Sequence, residues 1–407
     1  MWLSVPANTD FSIHNLPYGI FHTGDGRPRA GIAIGDHIID LAAAAESGLF
    51  GKARFFKKIF SQSTLNEFIG LGKPVTQRIR KKVQAWLQQP ERPANAEHLL
   101  ADRQTATMLM PIQVPNYTDF YSSIEHATNV GKMFRPDNPL LPNWRWLPVG
   151  YHGRASSIVA SGTPIRRPWG QIVPKGQENP VYAPSQQLDF ELEMAFVIGK
   201  NSALGTSISV DQADEYIFGL VLFNDWSARD IQRWEYVPLG PFLGKNFGSS
   251  ISPWIVPLEA LKPFRVKGPK QTPAPLEYLE QKGKQQYDIQ LEVALAAGNA
   301  SEAVISRSNT RYLYWSMAQQ LAHHTVNGCN VQVGDLMASG TISGPVPGSY
   351  GSLLELTWGG KEPLQLPGGV TRTFLQDGDR LVMRAAAEKD GIRVGFGEVS
   401  GVVLEAR

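Results

Sequence analysis

Glycine and proline punctuate this sequence from end to end, 39 of one and 29 of the other in 407 residues. Proline removes a backbone donor and glycine weakens a helix interior, so the regular elements between them must be short. The pattern predicts a mostly β architecture with minor α, built from short strands and tight turns, and argues against a long helical bundle. At this length a single core stops growing, and two domains are expected. Hydrophobic residues at 42% against 19% charged mark a folded chain rather than a disordered one. The apolar runs, such as FGLVLF (218–223), fall far short of the ~18–20 residues of a membrane helix. Lys plus Arg number 39 against 37 for Asp plus Glu, too even for a nucleic-acid surface, so a small-molecule partner is expected, with no nucleic acid and no membrane. Cys329 is alone, and the N-terminus lacks a basic flank and an apolar stretch, which points to a reducing, cytoplasmic compartment.

Several elements are legible. GIAIGDHIIDL (31–41) reads as two strands around a Gly35-Asp36 turn, and Val75, Ile79, Val83 and Leu87 share one face of a helix whose Arg78, Lys81 and Lys82 point elsewhere. The polar, proline-punctuated stretch from about Gln89 to Pro115 reads as a linker, dividing a domain 1–115 from a domain 116–407. Beyond it, Asp189 to Phe196 and QYDIQLEVALAAG (286–298) alternate at period two, and strands near the C-terminus join through Asp390-Gly391. A helix is expected to enter at Ser308 or Asn309, carry Leu313, Met317 and Leu321, and stop near Gly328.

The strand from Asp189 places Glu191 and Glu193 on one side, about 6–7 Å apart. Facing solvent they would be ordinary exterior charges; lining a cleft they would call for a cation such as Mg²⁺ or Ca²⁺. Asp225 closes an apolar run, with Arg229, Asp230, Gln232, Trp234, Glu235, Tyr236 and Lys245 behind it, and a third group offers Asp119, Tyr121, His126 and Arg135. Other patterns carry no chemistry. GPFLGKN (240–246) is one residue short of a phosphate loop and lacks its Ser or Thr, no Gly-x-Ser-x-Gly elbow occurs, and His323 and His324 diverge by about 100° on a helix. Cys329 has no visible activator and reads as a small buried hydrophobe.

Taken together, YTDFYSSIEHATNVGKMFR, LPVGYHGRASSIVASGTPIRRP, LDFELEMAF, FNDWSARDIQRWEYVPLGPFLGKNFG, VNGCN with GDLMASGTISG, and SLLEL resemble the fumarylacetoacetase family, with NLPYGIF extending the likeness toward the N-terminus. The resemblance implies an N-terminal SH3-like barrel, a C-terminal mixed β-sandwich roll and a homodimer. It implies hydrolysis of a carbon–carbon bond in a diketo acid, 4-fumarylacetoacetate, to fumarate and acetoacetate, the last step of tyrosine degradation. By the same resemblance the metal ligands fall on Asp119, Glu191, Glu193 and Asp225, with Lys245 and Ser249 beside them; Ser249 stands where the family carries Thr, and the hydroxyl is kept. His126 and Glu355 take the place of the water-activating pair, with Arg229, Gln232 and Lys245 as charge stabilisers. Substrate contacts fall on Tyr121, Arg135, Tyr151, Gln232, Tyr236 and Thr341. The rivals are a hydrolase or decarboxylase of an acylpyruvate on the same fold, and a silent scaffold, against which the retention of His126, Glu355 and Lys245 together argues.

Overall fold

The computed structural model describes residues 1–24 and 26–407. Its first sheet has five antiparallel strands in the order Leu100–Asp102, His37–Asp40, Arg29–Ile34, Tyr18–His22, Thr107–Leu109. The Gly35-Asp36 turn forms as expected, with Ile34 paired to His37 and Gly35 at positive φ. The helix Lys73–Leu87 buries Ile79, Val83 and Leu87 and leaves Arg78, Lys81 and Lys82 exposed.

The linker expectation for 89–115 is corrected. Ala96 and Leu99 are buried, and Leu100–Asp102 and Thr107–Leu109 form the two ends of this sheet's strand order. Polarity misled because edge strands show one side to water.

A second sheet of eight strands carries the order Gly150–Gly153, Tyr117–Phe120, Leu336–Ala338, Leu192–Ile198, Ile217–Asp225, Ser249–Ile251, Ile158–Ala160, with Val256–Pro257 also pairing Ile217–Asp225. Its central strands are buried on both faces. Leu192, Met194, Phe196, Leu220 and Leu222 enter the main core, while Ala195, Val197, Val221 and Phe223 join the core of the N-terminal unit. A third sheet runs Ala303–Asn309, Gln290–Ala296, Arg380–Lys389, Ile392–Leu404, Ile165–Arg166, and its long hairpin turns through Asp390 and Gly391, both at positive φ. The longest helix among the described residues is the 15-residue Lys73–Leu87, in keeping with a mostly β chain.

Two further expectations change. The strand from Asp189 is interrupted. Leu188–Asp189 pairs with Ser227–Ala228, and the large sheet begins only at Leu192. Between them Glu191 N donates to the Asn224 side chain at 3.1 Å instead of to a ladder carbonyl. The helix expected from Ser308 or Asn309 starts later, at Met317, because Ala303–Asn309 is a strand. Ser316 caps the helix with a reciprocal Gln319 box.

Candidate active site

Three strands of the large sheet, and the link leading into one of them, deliver four carboxylates to one place. Asp119 comes from Tyr117–Phe120, Glu191 from the residue just before Leu192–Ile198, Glu193 from the second position of that strand, and Asp225 from the last position of Ile217–Asp225. A ligand oxygen from each lies within 4.8 Å of all the others, and all four residues are buried. Lys245 Nζ enters the same space, donating to Asp225 Oδ2 at 2.6 Å and to Glu191. Ser249 Oγ donates to Asp225 Oδ1 at 2.7 Å, and the Tyr151 hydroxyl to Oδ2 at 3.1 Å. Lys245 is aimed by a tight loop: Ala228 N donates to the Gly244 carbonyl at 2.9 Å, and a Cβ at residue 244 would stand 2.8 Å from Gln232 backbone atoms. The glycine of GPFLGKN thus permits close packing, and its lysine faces carboxylates rather than a phosphate.

Arg229 extends the cluster. Its Nη1 lies 2.6 Å from Glu191 Oε1 and donates to Gln232 Oε1 at 3.3 Å, its Nε donates to Asp189 Oδ2 at 2.8 Å, and Nη2 is buried without a partner. Burial pushes Glu191 up, but Lys245 and Arg229 outweigh it and hold the carboxyl well below the usual range. Asp119 and Glu193 go the other way. Burial, and then the charges of neighbouring carboxylates, raise both well above that range. Burial also raises Asp225 against the pull of Lys245, whose own ammonium is held above its ordinary value by Asp225 and Glu191 despite desolvation.

The donor set fits a hard divalent cation. It is all oxygen, and Asp119 Oδ1 and Glu193 Oε1 are buried with no hydrogen-bond partner. The cluster and Asp189 bring five carboxylates against the two cations Lys245 and Arg229. A bound cation would satisfy the two orphaned oxygens and offset the remaining charge.

Beside this cluster stands the second feature. His126, on the helix Ile124–Phe134, places Nδ1 2.6 Å from Glu355 Oε2, and both side chains are buried. Glu355 also accepts from Asn129 Nδ2 at 3.0 Å and from the hydroxyls of Ser343 and Ser352, each at 2.9 Å. Burial raises this carboxyl, but His126, Asn129 and Ser343 outweigh it and keep it below its usual range. The Tyr121 ring meets His126 edge-on at 5.3 Å, and Tyr121 follows Asp119 of the cluster by two residues, so the pair and the cluster share one site.

Of the residues implied for substrate contact, Thr341 is buried with Oγ1 unpartnered, next to Gly340, whose N–H donates to Glu193 Oε2 at 3.0 Å. Gly340 has positive φ, and a Cβ there would collide with the Phe120 carbonyl. Arg135 is half-buried at the end of the His126 helix, with Nη2 3.5 Å from the Pro139 carbonyl, and its charge is felt at Tyr121. Tyr236 is not drawn in: it follows the helix Arg229–Glu235 and is 42% exposed. Asn129, Ser343, Ser352 and Asp189 escaped the sequence reading. Asn129 follows His126 by three residues on one helix, and Ser352-Leu-Leu-Glu355 is a capping pattern. Elsewhere, His323 and His324 diverge as expected, toward Tyr278 and Thr118, and Cys329 is half-buried rather than buried.

Buried carboxylates around an ammonium, beside an imidazole with its own carboxylate, make the site of an enzyme that can activate water and hold an anionic product. Comparison with known proteins gives the same class. Residues 116–403 match the family model for the fumarylacetoacetate (FAA) hydrolase C-terminal region, and residues 14–111 that for the fumarylacetoacetase N-terminal region. The fumarylacetoacetase of Bos taurus is 52% identical, covering 100% of this chain and 99% of its own, and that of Homo sapiens is 51% identical with the same coverage. That of Arabidopsis thaliana is 50% identical over 99% of this chain and 98% of its own. Among solved structures, a fumarylacetoacetate hydrolase from psychrophilic Exiguobacterium antarcticum shares the fold at a TM-score of 0.51 and 20% identity, covering 96% of this chain and 100% of its own. A maleylpyruvate hydrolase from Sphingobium sp. SYK-6 does so at 0.51 and 16%, with the same coverage. The chain belongs to the fumarylacetoacetase family.

Proposed function

We propose that this enzyme hydrolyses the carbon–carbon bond of 4-fumarylacetoacetate, giving fumarate and acetoacetate. Relatives of that name match it at about half identity along the whole chain, including the N-terminal region. The observation that carries the mechanism is the 2.6 Å contact of His126 Nδ1 with Glu355 Oε2 beside the acidic cluster. With Nδ1–H given to Glu355, the other ring nitrogen is free to accept a proton from water. The hydroxide adds to the carbonyl that becomes a carboxylate of fumarate. Lys245, the unpartnered Nη2 of Arg229 and the Gln232 amide supply donors for the oxyanion. Collapse breaks the carbon–carbon bond, its electron pair leaving with the acetoacetate carbanion, which takes back the proton held on His126. Asp119, Glu191, Glu193 and Asp225 would hold a divalent ion, which when bound supplies Lewis acidity and a template; the all-oxygen set suits Mg²⁺ or Ca²⁺. Tyr121, Arg135, Tyr151 and Thr341 would line the substrate.

A homodimer and a cytoplasmic setting belong to the same reading, and sedimentation tests the first. The deciding assay follows fumarylacetoacetate loss with and without divalent cation. Cation-dependent release of equal fumarate and acetoacetate is expected. Inertness toward it, or faster cleavage of an acylpyruvate, would overturn the assignment.

A further inference from the structure

Asp189 is fully buried, and its carboxylate ties together segments far apart in sequence. Oδ2 accepts from Arg229 Nε at 2.8 Å and from Leu354 N at 3.0 Å; Oδ1 accepts from Leu353 N at 2.7 Å and from Phe190 N at 2.8 Å. Leu353 and Leu354 open the short helix Leu353–Leu356 that carries Glu355, 164 and 165 residues from Asp189. Arg229 is 40 residues from Asp189, and its Nη1 faces both Glu191 and Gln232. One carboxylate therefore touches both the guanidinium that stabilises charge and the helix that presents the partner of His126. It touches neither water-activating group itself.

We propose that Asp189 is a positioning residue that holds Arg229 and the Glu355 helix in a single register, so that the oxyanion donors and the base meet the same carbonyl. This rests on the functional reading above. A neutral side chain in its place loses the charge-assisted bond to Arg229 and weakens both amide bonds, letting the two halves of the site drift relative to each other. Misplacement of about 1 Å is enough to lower turnover roughly 10²-fold.

The test is Asp189→Asn, which keeps the volume. Its kcat should fall roughly 10²-fold while KM moves less than about threefold, the signature of a loss felt in the transition state. Placed in an Arg229→Met, Glu355→Gln background, the same change should lower kcat by less than about threefold, since both groups it positions are gone. A kcat within threefold of the parent for Asp189→Asn alone, or an equal loss in both backgrounds, overturns the inference. If His126→Asn and Arg229→Met also turn over normally, the functional reading falls as well, which separates the two failures. A measurement that leaves Asp189 intact covers the case where Asp189→Asn does not fold. Arg229→Met should speed hydrogen exchange at the Leu353 and Leu354 amides at least tenfold by loosening their shared acceptor, and unchanged or slower exchange overturns the coupling.

Discussion

Lys245 Nζ stands 2.6 Å from Asp225 Oδ2 and also donates to Glu191, so one buried ammonium bridges two of the four clustered carboxylates. Lys245→Met keeps the apolar stem and removes that charge. Turnover should fall roughly 10²-fold or more, the scale set by the loss of one preorganised donor. Thermal unfolding should also come earlier, because buried carboxylates lose their partner, and added divalent cation should recover part of the shift. Near-normal turnover would place the ammonium outside the reacting shell.

Glu193 gives the cleanest test of the cation site. One oxygen accepts from Gly340 N and the other has no partner, whereas Glu191 is already engaged by Lys245 and Arg229. Glu193→Gln preserves size and removes a formal charge, so calorimetry should show cation affinity reduced at least tenfold. Glu191→Gln should weaken binding too and should cost turnover through Arg229. Unchanged affinity in both would remove the metal from this cluster.

Local pattern made candidates of Glu191 and Glu193, by alternation, and of Asp225, at a strand end, whereas the roles of these residues and of His126 and Glu355 came from motifs shared with the family. Asp189 and Ser343 were not legible in the sequence, since their importance comes from partners 164 and 12 residues away that no local period reveals. The fold divides in the same manner. The Gly35-Asp36 and Asp390-Gly391 turns follow from local φ demands, whereas the true start of the helix at Met317 depended on Asn309 being claimed by a strand. Leu313 fell at helical spacing by coincidence; it is buried by the core as part of a turn.

Proteolysis distinguishes a linker from a sheet edge. Residues 88–92 are exposed and offer a cleavage point, but the strands Leu100–Asp102 and Thr107–Leu109 that follow pair with strands that precede it. A nick there should leave both pieces eluting together on a sizing column at native pH and separating only in denaturant. Immediate separation would restore the linker.

His324 links stability to pH. Its Nε2 lies 2.9 Å from Thr118 Oγ1, and burial, followed by His152 and His323, pushes its imidazole down from 6.5 to about 4. The unfolded chain therefore takes up a proton below pH 6.5 that the fold resists until about 4. The stabilisation is complete above the upper value and is lost as pH falls through the window, by at most about 3 kcal/mol. Denaturant melts of His324→Gln across that range should show a shallower decline than the parent. Parallel curves would mean the proton is not taken up there.

The pair His126 and Glu355 makes the sharpest forecast. His126→Asn removes the base and leaves the four carboxylates in place, so a divalent cation should still bind with parent affinity while turnover collapses by about 10² to 10⁴. Glu355→Gln keeps a hydrogen-bonding side chain among Asn129, Ser343 and Ser352 but loses the charge that steadies an imidazolium. Its defect should be large and yet smaller than that of His126→Asn. Ser343→Ala removes one of four donors to the same carboxylate and should cost about tenfold or less. Because the two residues act as one unit, the double variant should turn over nearly as well as His126→Asn alone. Losses that multiply across the two sites would mean that His126 and Glu355 act independently, and water activation would then have to be sought among the groups around the acidic cluster.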